Sequence, residues 1–241
     1  MTVAGDAGVV ARVLVVAAHP DDVDFGMAGT VATWTAAGTE VAYLIVTDGD
    51  AGGFDRSISR PEMAAMRRDE QRAAAKTVGV DQVMFLGYTD GRLVPSIELR
   101  RDISRVVRQF RPDRLVCQSP ERTWQRIGAS HPDNLAAGEA AVCSVYPDAR
   151  NPFAHPELLA AGLEPHIVPE LWLMAGREPN HYVDVTDTAE RKLAALRCHA
   201  SQLPEVEAVE TRVRGWLAAT AAAGGLPEGR LAEAFQVVHT A

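Results

Sequence analysis

The sequence predicts an α/β fold of Rossmann-like type: a mostly parallel sheet with helices on both faces. Three observations predict it. Short continuous apolar runs recur, as strands buried on both faces require. Stretches of helical length separate them, the signature of βαβ units. Gly or Pro stands at most junctions. Residues 13–18 (VLVVAA) form the first strand, and a helix over 27–37 follows, ended by Gly38. The second strand, 41–46 (VAYLIV), leaves at Thr47-Asp48-Gly49, and residues 48–60, rich in Gly and Asp, form a loop. Pro61 sits at the start of a helix running to 78, where its missing N–H costs nothing, and Gly79 stops that helix. A third strand over 82–86, an amphipathic helix over 95–110 opened by Pro95, a fourth strand over 115–118 and a helix over 135–145 complete the repeating pattern.

Beyond Tyr146 the signals are mixed: a Pro- and His-rich loop over 147–169, strands near 171–174 and 182–185, then helices over 188–201 and 204–223. No segment has the composition of a linker and there is no internal repeat. We therefore expect one domain over 1–241, with the motif-bearing core in 10–146 and a pocket-shaping C-terminal part in 147–241.

Composition narrows the function classes. A chain of 241 residues, 47% hydrophobic and 23% charged, can bury a substantial core and is neither disordered, collagen-like nor coiled coil. A net charge of −8 and only 6% aromatics argue against a nucleic-acid partner. No apolar run approaches the roughly 18 residues needed to span a bilayer, so no membrane partner is expected. The opening MTVAGDAGVVARVLVVAAHP lacks a basic leader and reads as a first strand rather than a signal peptide. Cys117, Cys143 and Cys198 stand far apart with no CxxC pair, which suits a reducing, cytoplasmic setting.

The densest chemical signal is His19-Pro20-Asp21-Asp22, directly after the first strand. Ligands of open α/β sheets bind beyond the carboxyl ends of the strands, and a histidine with two carboxylates offers the nitrogen and oxygen donors that zinc takes. The bland alternative is that Asp21 or Asp22 merely caps the next helix. A second cluster, Ser130-His131-Pro132-Asp133-Asn134, follows the fourth strand. With the common strand order 3-2-1-4, both clusters face one crevice; alternatively Asp133 or Asn134 caps the following helix and His131 is an ordinary loop residue.

AHPDDVDFGMAGT (18–30) with the downstream SHPDN (130–134) resembles the PIG-L/LmbE-like zinc-dependent N-deacetylases, which include mycothiol- and bacillithiol-type deacetylases of N-acetylglucosamine conjugates. VTDGDAGG (46–53), MRRDE (66–70) and LGYTDG (86–91) extend the resemblance over most of the first 145 residues. The resemblance implies an LmbE-like fold and a Zn2+ cofactor held by His19 and Asp22, with Asp21 as general base. It assigns His131 to the oxyanion or the leaving amine, with Asp133 orienting it. It places Arg67 and Asp90 on sugar hydroxyls; in the plain reading Arg67 pairs with Glu70 at i, i+3 and Asp90 belongs to the TDG turn.

One position departs from the family. Where its third zinc ligand is histidine, this chain has Asn134, whose neutral amide oxygen is a poorer donor. The consequence is a weaker site or another divalent metal, a replacement ligand drawn from His131, His155, His166 or His181, or a degraded site. The family's tyrosine near the second motif has no match; Ala129 stands two residues before His131. His199, with Leu193, Leu196 and Leu203 around it, reads as a core histidine.

Three rival readings exist. A phospho-receiver domain needs an acceptor aspartate after the third strand and a later lysine, and no lysine lies between Lys76 and Lys192. A dinucleotide-binding domain needs GxGxxG where this chain has GMAG beside two carboxylates. The third, a catalytically impaired family member acting as a binding or partner protein, is motivated by Asn134 alone. The expectation is a metal-dependent hydrolase that removes an acetyl or other acyl group from the amide nitrogen of an amino sugar or related small metabolite, with a homo-oligomer left open.

Overall fold

The computed structural model describes residues 10–241. Residues 1–9 of the opening segment lie outside this range. The chain runs β1 (Arg12–Ala17), α1 (Asp22–Ala36), β2 (Glu40–Thr47), α2 (Arg60–Thr77), β3 (Gln82–Tyr88), α3 (Ile97–Phe110), β4 (Arg114–Gln118), α4 (Pro132–Cys143), α5 (Pro156–Ala160), β5 (Glu170–Met174), β6 (His181–Asp184), α6 (Ala189–Arg197), α7 (Val206–Ala223) and β7 (Ala232–His239).

One seven-stranded sheet has the order β3-β2-β1-β4-β5-β7-β6. The first five strands of that order are parallel, as the crossover helices demand, whereas β7 pairs antiparallel with both β5 and β6. The expected 3-2-1-4 winding is present, so β1 and β4 are neighbours. Alternate residues of β1 feed two cores. Leu14, Val16 and Ala18 pack towards α3 and α4, and Val13, Val15 and Ala17 towards α1 and α2. Among the described residues, no helix is long and apolar enough to cross a membrane.

The main differences from expectation each have a physical reason. Helix α1 begins at Asp22 rather than 27, so the acidic motif is itself the first turn of a helix; Met27 is a kink within it (φ −154°, ψ 15°). Helix α4 begins at Pro132, because His131 caps it: its Nδ1 accepts the Asp133 N–H at 3.3 Å. The segment expected as a loop over 147–169 contains α5. Strand β7 was not foreseen, since Glu233 points inward and is buried, which breaks the apolar-in alternation of a half-buried strand.

Glu233 explains how α1 survives its kink. The Lys192 ammonium, on α6, donates to the carbonyls of Asp24 (2.8 Å) and Phe25 (2.7 Å) upstream of the break. The Glu233 carboxylate, on β7, accepts the N–H groups of Gly29 (3.2 Å) and Thr30 (2.7 Å) downstream of it. The two side chains meet at 2.7 Å and both are buried. An unbroken helix would satisfy these four backbone groups internally; here an ion pair satisfies them instead, cation on carbonyls and anion on amides, as buried backbone polar groups require.

Candidate active site

The carboxyl ends of β1 and β4 open into a cavity of about 360 Å³. His19, Asp21, Asp22, Arg67, Asp90, His131 and Asn134 all line it, so the structure brings together every predicted site residue except Asp133, which is buried directly behind. Ala51, Gly52, Gly91 and Gly128 complete the wall. No lining residue comes from beyond 146.

His19 is the hub. Its Nε2 lies 3.1 Å from Asp90 Oδ1 and 3.4 Å from Asp133 Oδ2, and its Nδ1 lies 3.4 Å from Asp22 Oδ2. Burial alone would lower its pKa, but the carboxylates of Asp133, Asp22 and Asp90 outweigh burial and push it up to about 12. Burial would likewise raise Asp22, yet His19 and the Asn134 amide hold that carboxyl below the usual range. Asp90, raised by burial and lowered more by His19, settles at about 2.

Asp21 is different. It adopts φ 96°, a left-handed conformation that costs a non-glycine residue about 1–3 kcal/mol and persists where the surroundings over-determine it. Its side chain makes no capping hydrogen bond to α1, which removes the helix-cap alternative for this residue. Arg67 donates to Asp21 Oδ2 at 3.2 Å, and the Asp21 N–H is taken by Gln71 Oε1 at 2.8 Å. Burial pushes the Asp21 carboxyl up to about 7 against the pull of Arg67.

Several residues do other work than expected. Arg67 does not pair with Glu70, which instead accepts from the Ser201 N–H and hydroxyl. Arg67 is buried and braces the motif, donating to the carbonyls of Pro20 (2.5 Å) and Gly49 (2.9 Å). Asp90 Oδ2 accepts the Ala51 N–H at 3.0 Å, tying two loops together beside His19. The Asp133 carboxylate accepts the N–H groups of Gly91 (2.7 Å) and Leu93 (3.2 Å) and faces His19; it is the Asp133 backbone, not its carboxylate, that hydrogen-bonds His131. His131 itself stands edge-on to His19, ring centroids 4.9 Å apart. The other proposed replacement ligands are elsewhere: His155 contacts Asp148, His166 the Pro112 carbonyl, and His181 packs on Trp172.

The donor set fits a divalent cation. Ligating atoms of His19, His131 and Asp133 lie within 4.8 Å of one another. Three carboxylates around one imidazole leave negative charge for a cation to balance. Asn134 donates its Nδ2 to Asp22 Oδ1 at 2.8 Å, while its Oδ1 is buried with no hydrogen-bond partner. An orphaned amide oxygen beside a carboxylate is an acceptor that a metal ion would satisfy.

Sequence reasoning missed Gln71, Asp24, Lys192 and Glu233, which brace the turn and the helix that carry the acidic motif. Gln71 directly follows the quoted MRRDE segment and Asp24 lies two residues after HPDD, so proximity to the motifs was the available signal.

A doubly wound sheet with a histidine and carboxylate crevice at its switch point, able to hold a metal ion, defines an α/β enzyme. Residues 14–145 match the family model described as GlcNAc-PI de-N-acetylase (PIG-L). The chain belongs to this PIG-L family. It is 34% identical over 196 residues to diacetylchitobiose deacetylase of Thermococcus kodakarensis, covering 81% of this chain and 72% of that one. The structure of N,N'-diacetylchitobiose deacetylase from Pyrococcus horikoshii with an inhibitor superposes with a TM-score of 0.88 at 33% identity, over 95% of this chain and 84% of that one. GalB, a 4-carboxy-2-hydroxymuconate hydratase from a Pseudomonas, shares the fold (TM-score 0.77, 20% identity, 95% and 97% covered). The fold alone therefore does not name the reaction.

Proposed function

We propose that this protein is a divalent-metal-dependent N-deacetylase acting on a small N-acetylglucosamine-containing molecule, with zinc as the metal. The observation that carries this reading is the half-buried, left-handed Asp21 beside His19, Asp22 and the unpartnered Asn134 oxygen in one cavity. The relatives above 30% identity, named as diacetylchitobiose deacetylases, support the amino-sugar class.

His19, Asp22 and Asn134 would hold the metal, with His131 and Asp133 close enough to share in it. When bound, a divalent cation supplies Lewis acidity to the scissile carbonyl and acidity to the attacking water. Asp21 takes the proton from that water: its carboxyl, raised to about 7, matches what a general base needs near neutrality. Arg67 and Gln71 hold it while it does so. His131 Nδ1 already accepts the Asp133 N–H, so in the neutral ring the proton sits on Nε2, ready to be donated to the developing oxyanion or to the leaving amine. Asp133 keeps the start of α4 against the Gly91–Leu93 backbone. Asp90 and Arg67, both on the cavity wall, would be the groups to meet the sugar hydroxyls.

Asp21→Asn tests the reading. With zinc-loaded protein and N,N'-diacetylchitobiose, kcat is expected to fall about 10²–10⁴-fold, the usual worth of a positioned base, with zinc per chain unchanged. A fully active variant would refute the assignment. Asn134 is the observation behind a second reading, a member that binds amino sugars without hydrolysing them. Saturable binding with no acetate released at any zinc concentration would select it.

A further inference from the structure

The conformation of Asp21 is set from behind the cavity. Gln71 on α2 is fully buried and does not line the cavity, yet its Oε1 accepts the Asp21 N–H at 2.8 Å. The orientation of its amide is not free. Its Nε2 donates to Asp24 Oδ2 at 2.9 Å, while the Asp21 backbone N–H can only donate, so a flipped amide would set donor against donor at Asp21. Asp24 is equally buried and takes a second donor, His199 Nε2, at 2.8 Å from the turn that follows α6.

Three fully buried polar side chains from α1, α2 and the segment after α6 thus form one line ending on the backbone of Asp21. A buried charged pair adds little stability over well-packed apolar residues. Its use here is geometric.

We propose that Gln71, held in register by the Asp24–His199 pair, is a positioning residue for Asp21. Its carboxamide oxygen fixes the left-handed backbone from which the Asp21 carboxylate meets the attacking water. The inference rests on Asp21 being the base. Misplacing a reacting group by about 1 Å costs on the order of 10²-fold, whereas substrate contacts are untouched, because none of the three residues lines the cavity.

The experiment uses the full chain, zinc-loaded, with N,N'-diacetylchitobiose, and compares Gln71→Met, His199→Leu and His199→Gln with Asp21→Asn. Gln71→Met keeps the volume and removes both hydrogen bonds. If it does not fold, Gln71→Asn withdraws the amide by one methylene and takes its place. We expect kcat to drop about 10–100-fold in Gln71→Met and His199→Leu, with KM within about twofold and zinc per chain unchanged. His199→Gln, which still offers a donor to Asp24, should keep most of kcat. Parental kcat in the folded Gln71 variant beside an inactive Asp21→Asn overturns the positioning role and leaves the base intact. Equal losses in both His199 variants, or losses that track lost zinc, overturn it too. An active Asp21→Asn removes the base and the positioning role together.

Discussion

Lys192→Met is the most informative perturbation of the fold. It removes one partner of a buried ion pair, leaves the Glu233 carboxylate uncompensated and takes the donor from the Asp24 and Phe25 carbonyls. Breaking a buried pair from one side costs about 3–5 kcal/mol. Each orphaned carbonyl carries a further penalty of about 1–3 kcal/mol in isolation, although relaxation of the kink and the residual Gly29 and Thr30 donors to Glu233 offset part of it. We expect a net loss of about 3–5 kcal/mol, a large share of the roughly 5–15 kcal/mol a domain possesses. For a chain of this size that lowers Tm by roughly 6–20 °C. Adding Glu233→Gln removes the stranded charge while keeping an oxygen for the two amides, so the double variant should regain about 1–2 kcal/mol over Lys192→Met. Urea unfolding of the parent, both single variants and the double variant gives the cycle. A Lys192→Met protein within 1 kcal/mol of the parent, or two losses that simply add, would show that the pair does not splice the helix.

Other outcomes follow from the site. Asn134→His replaces a neutral amide oxygen with imidazole, and zinc retained against a competing chelator should rise tenfold or more; unchanged retention would place Asn134 outside the ligand set. In the metal-free protein His19 titrates at about 12 and is protonated at pH 7, while a metal ligand must be neutral. Zinc binding should therefore release about one proton, and apparent affinity should fall about tenfold per pH unit on acidification. Calorimetry in buffers of different ionisation enthalpy reads this directly, and zero release would contradict it. Gly138→Ala would set a Cβ 2.2 Å from the Gln118 carbonyl oxygen. Where alanine usually stabilises a helix, here it should cost about 1–3 kcal/mol and push α4, with His131, off β4; an unchanged Tm would refute the close approach.

What could be read from the sequence was whatever is local. β1 to β4 are short apolar runs bounded by turn residues, and the two site motifs are contiguous, so strand order plus motif position already brought His19 and His131 to one crevice. The later part yielded less because its signals are long-range. Glu233 reads as a residue that spoils a strand until its amides on α1, 203 and 204 positions away, are seen. His199 was rightly placed in the core by its leucine neighbours, but nothing nearby in the chain announces Asp24, 175 positions earlier. The resemblance implies that Asp133 orients His131, whereas the helix start turns its carboxylate towards Gly91 and Leu93.

The splice across α1 also ties the far half of the sheet to the helix that carries the acidic motif. β7 lies between β5 and the edge strand β6, well away from His19 in the strand order, and its pairing with β6 is short. Local openings cost least at such an edge, whereas β7 itself is held on both sides, by β5 and by β6. Glu233 is buried on that inner strand, so it leaves its amides on α1 only in an opening that also breaks the ion pair with Lys192. Amide exchange at Gly29 and Thr30 should therefore report the opening of β7 from the far side of the sheet.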